Sequence, residues 1–213
     1  MLTVVHIIKE EKAVLTVTDV KITFMKDLGE LSEKKLNQIN DEIKVFYPSF
    51  GKFPFGFLYA NNDTRQQLII APGQLTVDAQ ANINFDSIKT IVNKVFDILL
   101  LDSPTISVIV CTGLISHGES AFSKSLSFLE ENLKGKVETL GMINGIGLRF
   151  FTNKEGEKGE FKIEPFVRDP SYFYVERIIQ NDMMPLSEAL ESCNRTYMGF
   201  KEEYATFATS IIE

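Results

Sequence analysis

Gly56-Phe57-Leu58-Tyr59-Ala60-Asn61-Asn62 has an echo in Gly147-Leu148-Arg149-Phe150-Phe151-Thr152-Asn153, and 147 − 56 gives a shift of 91 residues. The same shift lays the β-type run Ala13 to Phe24 over Pro104 to Ile115, a second long β-type run. Each run is followed by a Gly-Glu pair, Gly29-Glu30 or Gly118-Glu119, and then by an amphipathic helix pattern. A repeat of this length predicts two half-domains, 1–103 and 104–213, that share one core about a pseudo-two-fold axis.

Working outward, Leu2 to Ile8 reads as a short strand with no basic leader or cleavage site. Ala13 to Phe24 is a long strand rich in Val, Thr and Ile. Ser32 offers an N-cap to a helix whose Leu36, Ile39, Ile43 and Phe46 share one face, and Pro48 ends it. Phe53, Phe55, Phe57 and Tyr59 alternate strictly, which predicts one half-buried strand. Turns at Asn61-Asn62-Asp63 and Pro72-Gly73 separate strands over Gln67 to Ala71 and Leu75 to Gln80. Asn84 then caps a helix carrying Phe85, Ile88, Val92, Val95 and Leu99 on its apolar side.

The second half repeats the order. Pro104 to Ile115 is a strand, and Phe122, Leu126, Leu129 and Leu133 line a helix. Strands over Gly145 to Thr152, Glu160 to Arg168 and Tyr172 to Ile179 follow, the first two joined by a charged hairpin over 154–159. Pro185 opens the last helix where a missing N–H costs least. Each half reads β-α-β-β-β-α. Strands joined by short turns are antiparallel neighbours, and the two helices of each half cover the apolar side of its sheet. The expected fold is therefore α+β, a duplicated unit forming one curved, largely antiparallel sheet with helices on one face.

This element order resembles the TATA-binding-protein fold and the duplicated ligand-binding domains of the gyrase-inhibitor type. The segment Gly147-Leu148-Arg149-Phe150 resembles a sporadically distributed prokaryotic family of unassigned activity. Those resemblances imply an architecture and carry no chemistry.

The 213 residues are 44% apolar and 24% charged, enough for a sizeable core. The net charge of −7 divides into 11 basic against 13 acidic residues up to Ser103 and 11 against 16 beyond it. A chain so acidic repels polyanions, which argues against nucleic acid and anionic membranes as partners. Two cysteines, Cys111 and Cys193, are too few for a disulfide framework or a zinc site and suit a reducing cytoplasm. No stretch reaches the length of a membrane span. No cofactor motif is present, and Asn194-Arg195-Thr196 falls inside a helix pattern, so it is no glycosylation signal.

Candidate chemistry is sparse. The glycines of Gly141-Met142-Ile143-Asn144-Gly145-Ile146-Gly147 follow a helix and lead into a strand, the reverse of a phosphate loop. His117-Gly118-Glu119-Ser120 could hold a general base, and it equally fits a helix N-terminus. With His6 the only other histidine, histidine ligation of a metal is poorly supplied. Arg149 stands among Leu148, Phe150 and Phe151 where its repeat-mate is Leu58, so it needs a carboxylate or a ligand. Glu164 and Glu176 are the expected partners; if a ligand takes their place, Arg149, Arg168 and Arg177 would hold an anion, with Tyr172 and Tyr174 lining the groove.

The last helix carries Leu186, Leu190, Cys193, Tyr197, Phe200, Tyr204, Phe207 and Ile211 in alternating steps of four and three. That seam is longer than a four-stranded sheet needs: its aromatic part, Tyr197, Phe200, Tyr204 and Phe207, either packs within the chain or overhangs to meet a partner. Read whole, the sequence describes a cytoplasmic binding or assembly module with no catalytic constellation, a homodimer through that helix. The alternative is a sensor or carrier of a small anion near Arg149.

Overall fold

Alternation of Val, Ile and Phe with Thr and Lys makes Leu15–Met25 the first strand (β1), with Val20, Ile22 and Phe24 on the buried side. The computed structural model describes residues 14–80, 83–101, 104–117, 120–133, 142–154 and 157–212. The expected strand Leu2 to Ile8 with His6, the Asp102-Ser103 junction, the Gly118-Glu119 pair, Gly141 and the hairpin tip Glu155-Gly156 lie outside the described residues.

After β1 come α1 (Glu33–Ile43), β2 (Ser49–Phe53), β3 (Gly56–Asn61), β4 (Gln66–Ala71), β5 (Gln74–Gln80) and α2 (Phe85–Leu99). Then follow β6 (Ile106–Ser116), α3 (Ala121–Leu133), β7 (Leu148–Lys154), β8 (Glu157–Pro165), β9 (Tyr172–Asn181) and α4 (Leu186–Gly199). A π turn over Phe200–Tyr204 leads into α5 (Ala205–Ile212). Both expected caps form: the Ser32 hydroxyl accepts from Lys35 N, and Asn84 Oδ1 accepts from Asp86 N and Ser87 N.

The nine strands among the described residues join one open antiparallel sheet, ordered β2-β3-β4-β5-β1-β6-β9-β8-β7. The two longest strands, β1 and β6, are its central neighbours, with Val20 opposite Cys111 and Ile22 opposite Ile109. The register builds continuous rows across the sheet. One runs Ala79, Val20, Cys111, Arg177, Phe161, Phe150. The next runs Tyr59, Leu68, Val77, Ile22, Ile109, Ile179, Gly159, Thr152. These rows face the helices. Ile39 and Ile43 of α1, Ile88, Ile91, Val92, Val95, Phe96 and Leu99 of α2, and Leu186, Leu190 and Cys193 of α4 close over them in one buried cluster. Each fully buried Ile, Leu or Phe contributes about 1.5–3 kcal/mol. Phe24 meets Phe96 edge to face, and Phe85 of α2 meets Tyr197 of α4, so the helices of the two halves also touch.

Two expectations are corrected here. The alternating run from Phe53 to Tyr59 is a hairpin, because Pro54 and Phe55 form a turn between β2 and β3. Proline fixes φ and has no N–H for a ladder, so it punctuates what side-chain alternation alone reads as continuous. Gly56 is needed at that corner, since a Cβ there would strike the Ile70 carbonyl oxygen of the neighbouring strand. The last helix, expected to run unbroken from Pro185, is interrupted by the π turn and lies against its own sheet.

Candidate functional site

Arg177 sits in β9 between Val175 and Ile179, in phase with Phe173, so strand alternation sends its side chain into the core beneath the helices. Only 5% of it is exposed. The guanidinium leans toward the β7 edge, where Nη1 and Nη2 each donate to Thr152 Oγ1 at 3.2 Å. It has this space because residue 159, between them on β8, is glycine: a Cβ there would lie 2.6 Å from Nη2 and 2.8 Å from Nη1. On the other side the Tyr204 ring, delivered by the π turn, stacks 4.5 Å from the guanidinium carbon. Arg177 Nε has no hydrogen-bond partner, and no carboxylate lies within ion-pair distance of the guanidinium, among the described residues. Burial draws the Arg177 pKa below the usual arginine range, while Tyr204 and Glu157 act in the opposite direction.

The guanidinium borders a cavity of about 550 Å³ between the β7–β8 edge and the α4–π junction. Its other walls include Glu157, Ile179, Arg195, Met198, Glu202 and Glu203. Glu157 is anchored to the core below. Ser192 Oγ lies 3.1 Å from Glu157 Oε1 and 3.0 Å from Asn181 Oδ1, and its single proton serves one of them at a time. Asn181 Nδ2 in turn donates to Ser107 Oγ at 2.9 Å. Ser107, Asn181 and Ser192 are each at most 1% exposed, so this polar chain is shut from solvent except through Glu157. Arg195 reaches Glu157 at 3.8 Å from the outer side.

The sheet gathers some of the expected site residues and parts others. Arg149 stands on the open face, away from the helices, and binds Glu160 through two contacts, Nε to Oε1 at 2.6 Å and Nη2 to Oε2 at 2.7 Å. That hydrogen bond raises the Arg149 pKa. The expected partners Glu164 and Glu176 are taken: Lys162 pairs with Glu164 at 2.8 Å, and the Tyr174 hydroxyl donates to Glu176 at 2.9 Å. Glu160 wins because it sits opposite Phe151, two residues along, within the reach of a diagonal cross-strand pair. Tyr174 shares a shallow open-face groove of about 500 Å³ with Arg168, and Tyr172 lies on the same face two residues earlier. Arg177 is on the opposite face from Arg149. Of the residues expected to meet a partner, Tyr197 (4% exposed) and Phe200 (0%) are core, Tyr204 covers Arg177 and Phe161, and Phe207 packs on Phe150 and Phe161.

Sequence reasoning weighted Arg149, the arginine whose phase points it outward, above Arg177, whose phase with Phe173, Val175 and Ile179 was the readable signal. Thr152, Gly159, Glu157 and the cap of Tyr204 carried no signal of their own; only the register brings them to Arg177.

His117 donates its backbone N–H to Ser171 O and packs its ring against Phe173, while its neighbour Glu119 lies outside the described residues. A cavity of about 240 Å³ between α3 and α5 is lined by Phe128, Ile146, Leu148, Ile163 and Phe173. Its buried Ser125 hydroxyl is satisfied, donating to Phe122 O and accepting from Ile146 N. Cys111 and Cys193 are free and buried, and burial pushes each thiol up to about 12. Among the described residues no cluster of three His, Cys, Asp or Glu could hold a metal, and no helix is long and apolar enough to cross a membrane. No family model matches the chain, and no curated protein matches it.

Proposed function

We propose that the protein is a non-catalytic binding module and that its ligand is a small anion held by Arg177. The observation that carries this reading is an arginine only 5% exposed that lines a cavity and has no carboxylate within ion-pair distance among the described residues. A buried unpaired charge is costly to the unliganded fold, and a ligand anion in the cavity offsets that cost. The cavity volume suits a ligand of metabolite size. Arg149, paired with Glu160, makes no comparable demand.

Thermal-shift measurements with acetate, phosphate and a set of organic carboxylates test the reading. Wild type should be stabilised by at least one anion in proportion to the logarithm of its concentration. Arg177→Met should lose that stabilisation while melting no lower than wild type without ligand, because a well-packed apolar side chain replaces an unpaired charge. If Arg177→Met instead melted far lower and no anion stabilised wild type, Arg177 would be a structural residue and the proposal would fall.

We further read the chain as two fused copies of one unit, in the manner of the TATA-binding-protein fold. Three observations support this: β1 and β6 are offset by 91 residues at both ends (106 − 15 and 116 − 25), β4 and β8 begin 91 apart (157 − 66), and the copies adjoin through β1 and β6. On this reading the counterpart of Arg177 is Ala79, since Val20 pairs with Ala79 as Cys111 pairs with Arg177. The binding site is then an acquisition of the second copy alone. Assembly through the C-terminal helix takes second place, because of its four proposed contact residues only Phe207, 41% exposed, stands largely open to a partner.

A further inference from the structure

The walls of the Arg177 cavity say more about the ligand than that it is an anion. Besides Arg177, the lining carries Arg195 and three carboxylates, Glu157, Glu202 and Glu203. Glu157 is committed to Ser192 below and Arg195 beside it. Glu202 and Glu203 are exposed, stand on the π turn, and have no ion pair among the described residues. The cavity therefore has an unpaired cation at its buried end and two unpaired anions at its exposed end, both brought there by the same short segment that sets Tyr204 over Arg177.

This polarity excludes ligand classes that a lone arginine would admit. A nucleotide or any polyphosphate would neutralise Arg177 and then meet the repulsion of the two glutamates. A simple carboxylate would satisfy one end only. A molecule with both a carboxylate and an ammonium satisfies both, and Ile179 and Met198 offer an apolar wall to whatever side chain it carries. We infer that the cavity binds a zwitterionic amino acid, its carboxylate on Arg177 and its ammonium on Glu202 and Glu203. The inference rests on the anion-binding reading above and sharpens it.

Titration calorimetry of the full chain against the twenty protein amino acids, taken singly, is the first arm. The second uses, for each amino acid that binds, its N-acetyl derivative and its decarboxylated amine. The free amino acid should bind at least tenfold tighter than either derivative. Arg177→Met should bind none of the three. The double variant Glu202→Gln, Glu203→Gln changes only exposed side chains, so it should fold normally, and its affinity for the free amino acid should drop to that for the N-acetyl derivative. Equal binding of free and N-acetyl forms, with the double variant indistinguishable from wild type, would overturn the zwitterion assignment and leave the anion-binding reading in place. Binding of no amino acid would overturn the zwitterion assignment, and binding of none together with no thermal stabilisation of wild type by acetate, phosphate or the organic carboxylates would overturn both.

Discussion

The room that Gly159 leaves is already filled by the Arg177 guanidinium, and that makes the pair testable one atom at a time. A methyl at position 159 must displace Arg177 or Thr152, and overpacking of this kind costs about 1–3 kcal/mol. Gly159→Ala should thus lower the midpoint of urea unfolding in wild type. In the Arg177→Met background the same change should cost less, since a flexible thioether chain can yield where a planar cation held by Thr152 and Tyr204 cannot. Four unfolding curves measure the coupling; equal losses in both backgrounds would show that Gly159 serves the backbone and not Arg177. Two other residues carry a similar signature. Tyr47 and Tyr59 are each at most 1% exposed, and neither hydroxyl has a hydrogen-bond partner among the described residues. Removing an unsatisfied buried hydroxyl deletes a desolvation cost and no bond, so Tyr47→Phe and Tyr59→Phe should each be neutral or stabilise by about 1 kcal/mol. A loss of more than about 1 kcal/mol in either variant would reveal a partner that the hydroxyl needs.

Helix phase explains what the sequence shows of the last element and what it hides. A straight helix with the observed seam would bury Phe200, Tyr204, Phe207 and Ile211, as the steps of four and three predict. In the structure Phe200 is buried, but the fully buried residues beyond it are Ala208 and Ile212, each one position later, while Phe207 is 41% exposed. A π turn accommodates one extra residue, and the buried stripe moves by that one residue. Side-chain periodicity reads the two flanking helices correctly and cannot register the slip, because no Gly or Pro marks it beyond Gly199. The same blindness joined β2 to β3 at Pro54, where the punctuation was present and the alternation of phenylalanines overrode it. Deleting Lys201, an exposed residue of the π turn, should restore continuous α geometry with Ala208 and Ile212 still inward. The melting temperature should stay within about 3 °C of wild type, the shift that roughly 1 kcal/mol gives in a chain of this size. Ligand stabilisation should nevertheless fall, because Tyr204, which holds the Arg177 guanidinium in place, moves relative to it. Thermal melts with and without the stabilising anion separate the two effects. A large drop in the unliganded melting temperature would mean that the π turn serves packing and not the cavity.

Across the whole molecule, what was legible is what depends on local order: strand alternation, helix caps and the β-α-β-β-β-α order of the second half, whereas the first half has four strands after α1 where three were expected. Ser32 and Asn84 cap as expected, and three consecutive strands in each half do lie side by side. What was hidden depends on register between distant strands, since Glu160 rather than Glu164 or Glu176 receives Arg149 only because it stands opposite Phe151. The one buried cluster that spans both halves has a consequence for pH. Burial pushes the thiols of Cys111 and Cys193 from their ordinary 9.0 to about 12, and the hydroxyls of Tyr47 and Tyr59 from 10.0 to about 12. All four folded values lie above the unfolded ones, so the folded state holds protons that the unfolded chain has released. Their contribution to stability is therefore fully present below pH 9 and is lost as pH rises from the unfolded values through the folded ones. Each group that has passed its unfolded value adds a slope of up to about 1.4 kcal/mol per pH unit. Unfolding free energy from urea titrations should begin to fall above pH 9 and fall more steeply above pH 10, where the tyrosines join. The double variant Cys111→Ala, Cys193→Ala should be less stable at neutral pH, because it empties space in the core, yet flatter between pH 9 and 10. Wild type and variant losing stability in parallel through that interval would show that the thiols reach solvent before the fold opens, and that α4 does not seal the sheet beneath it.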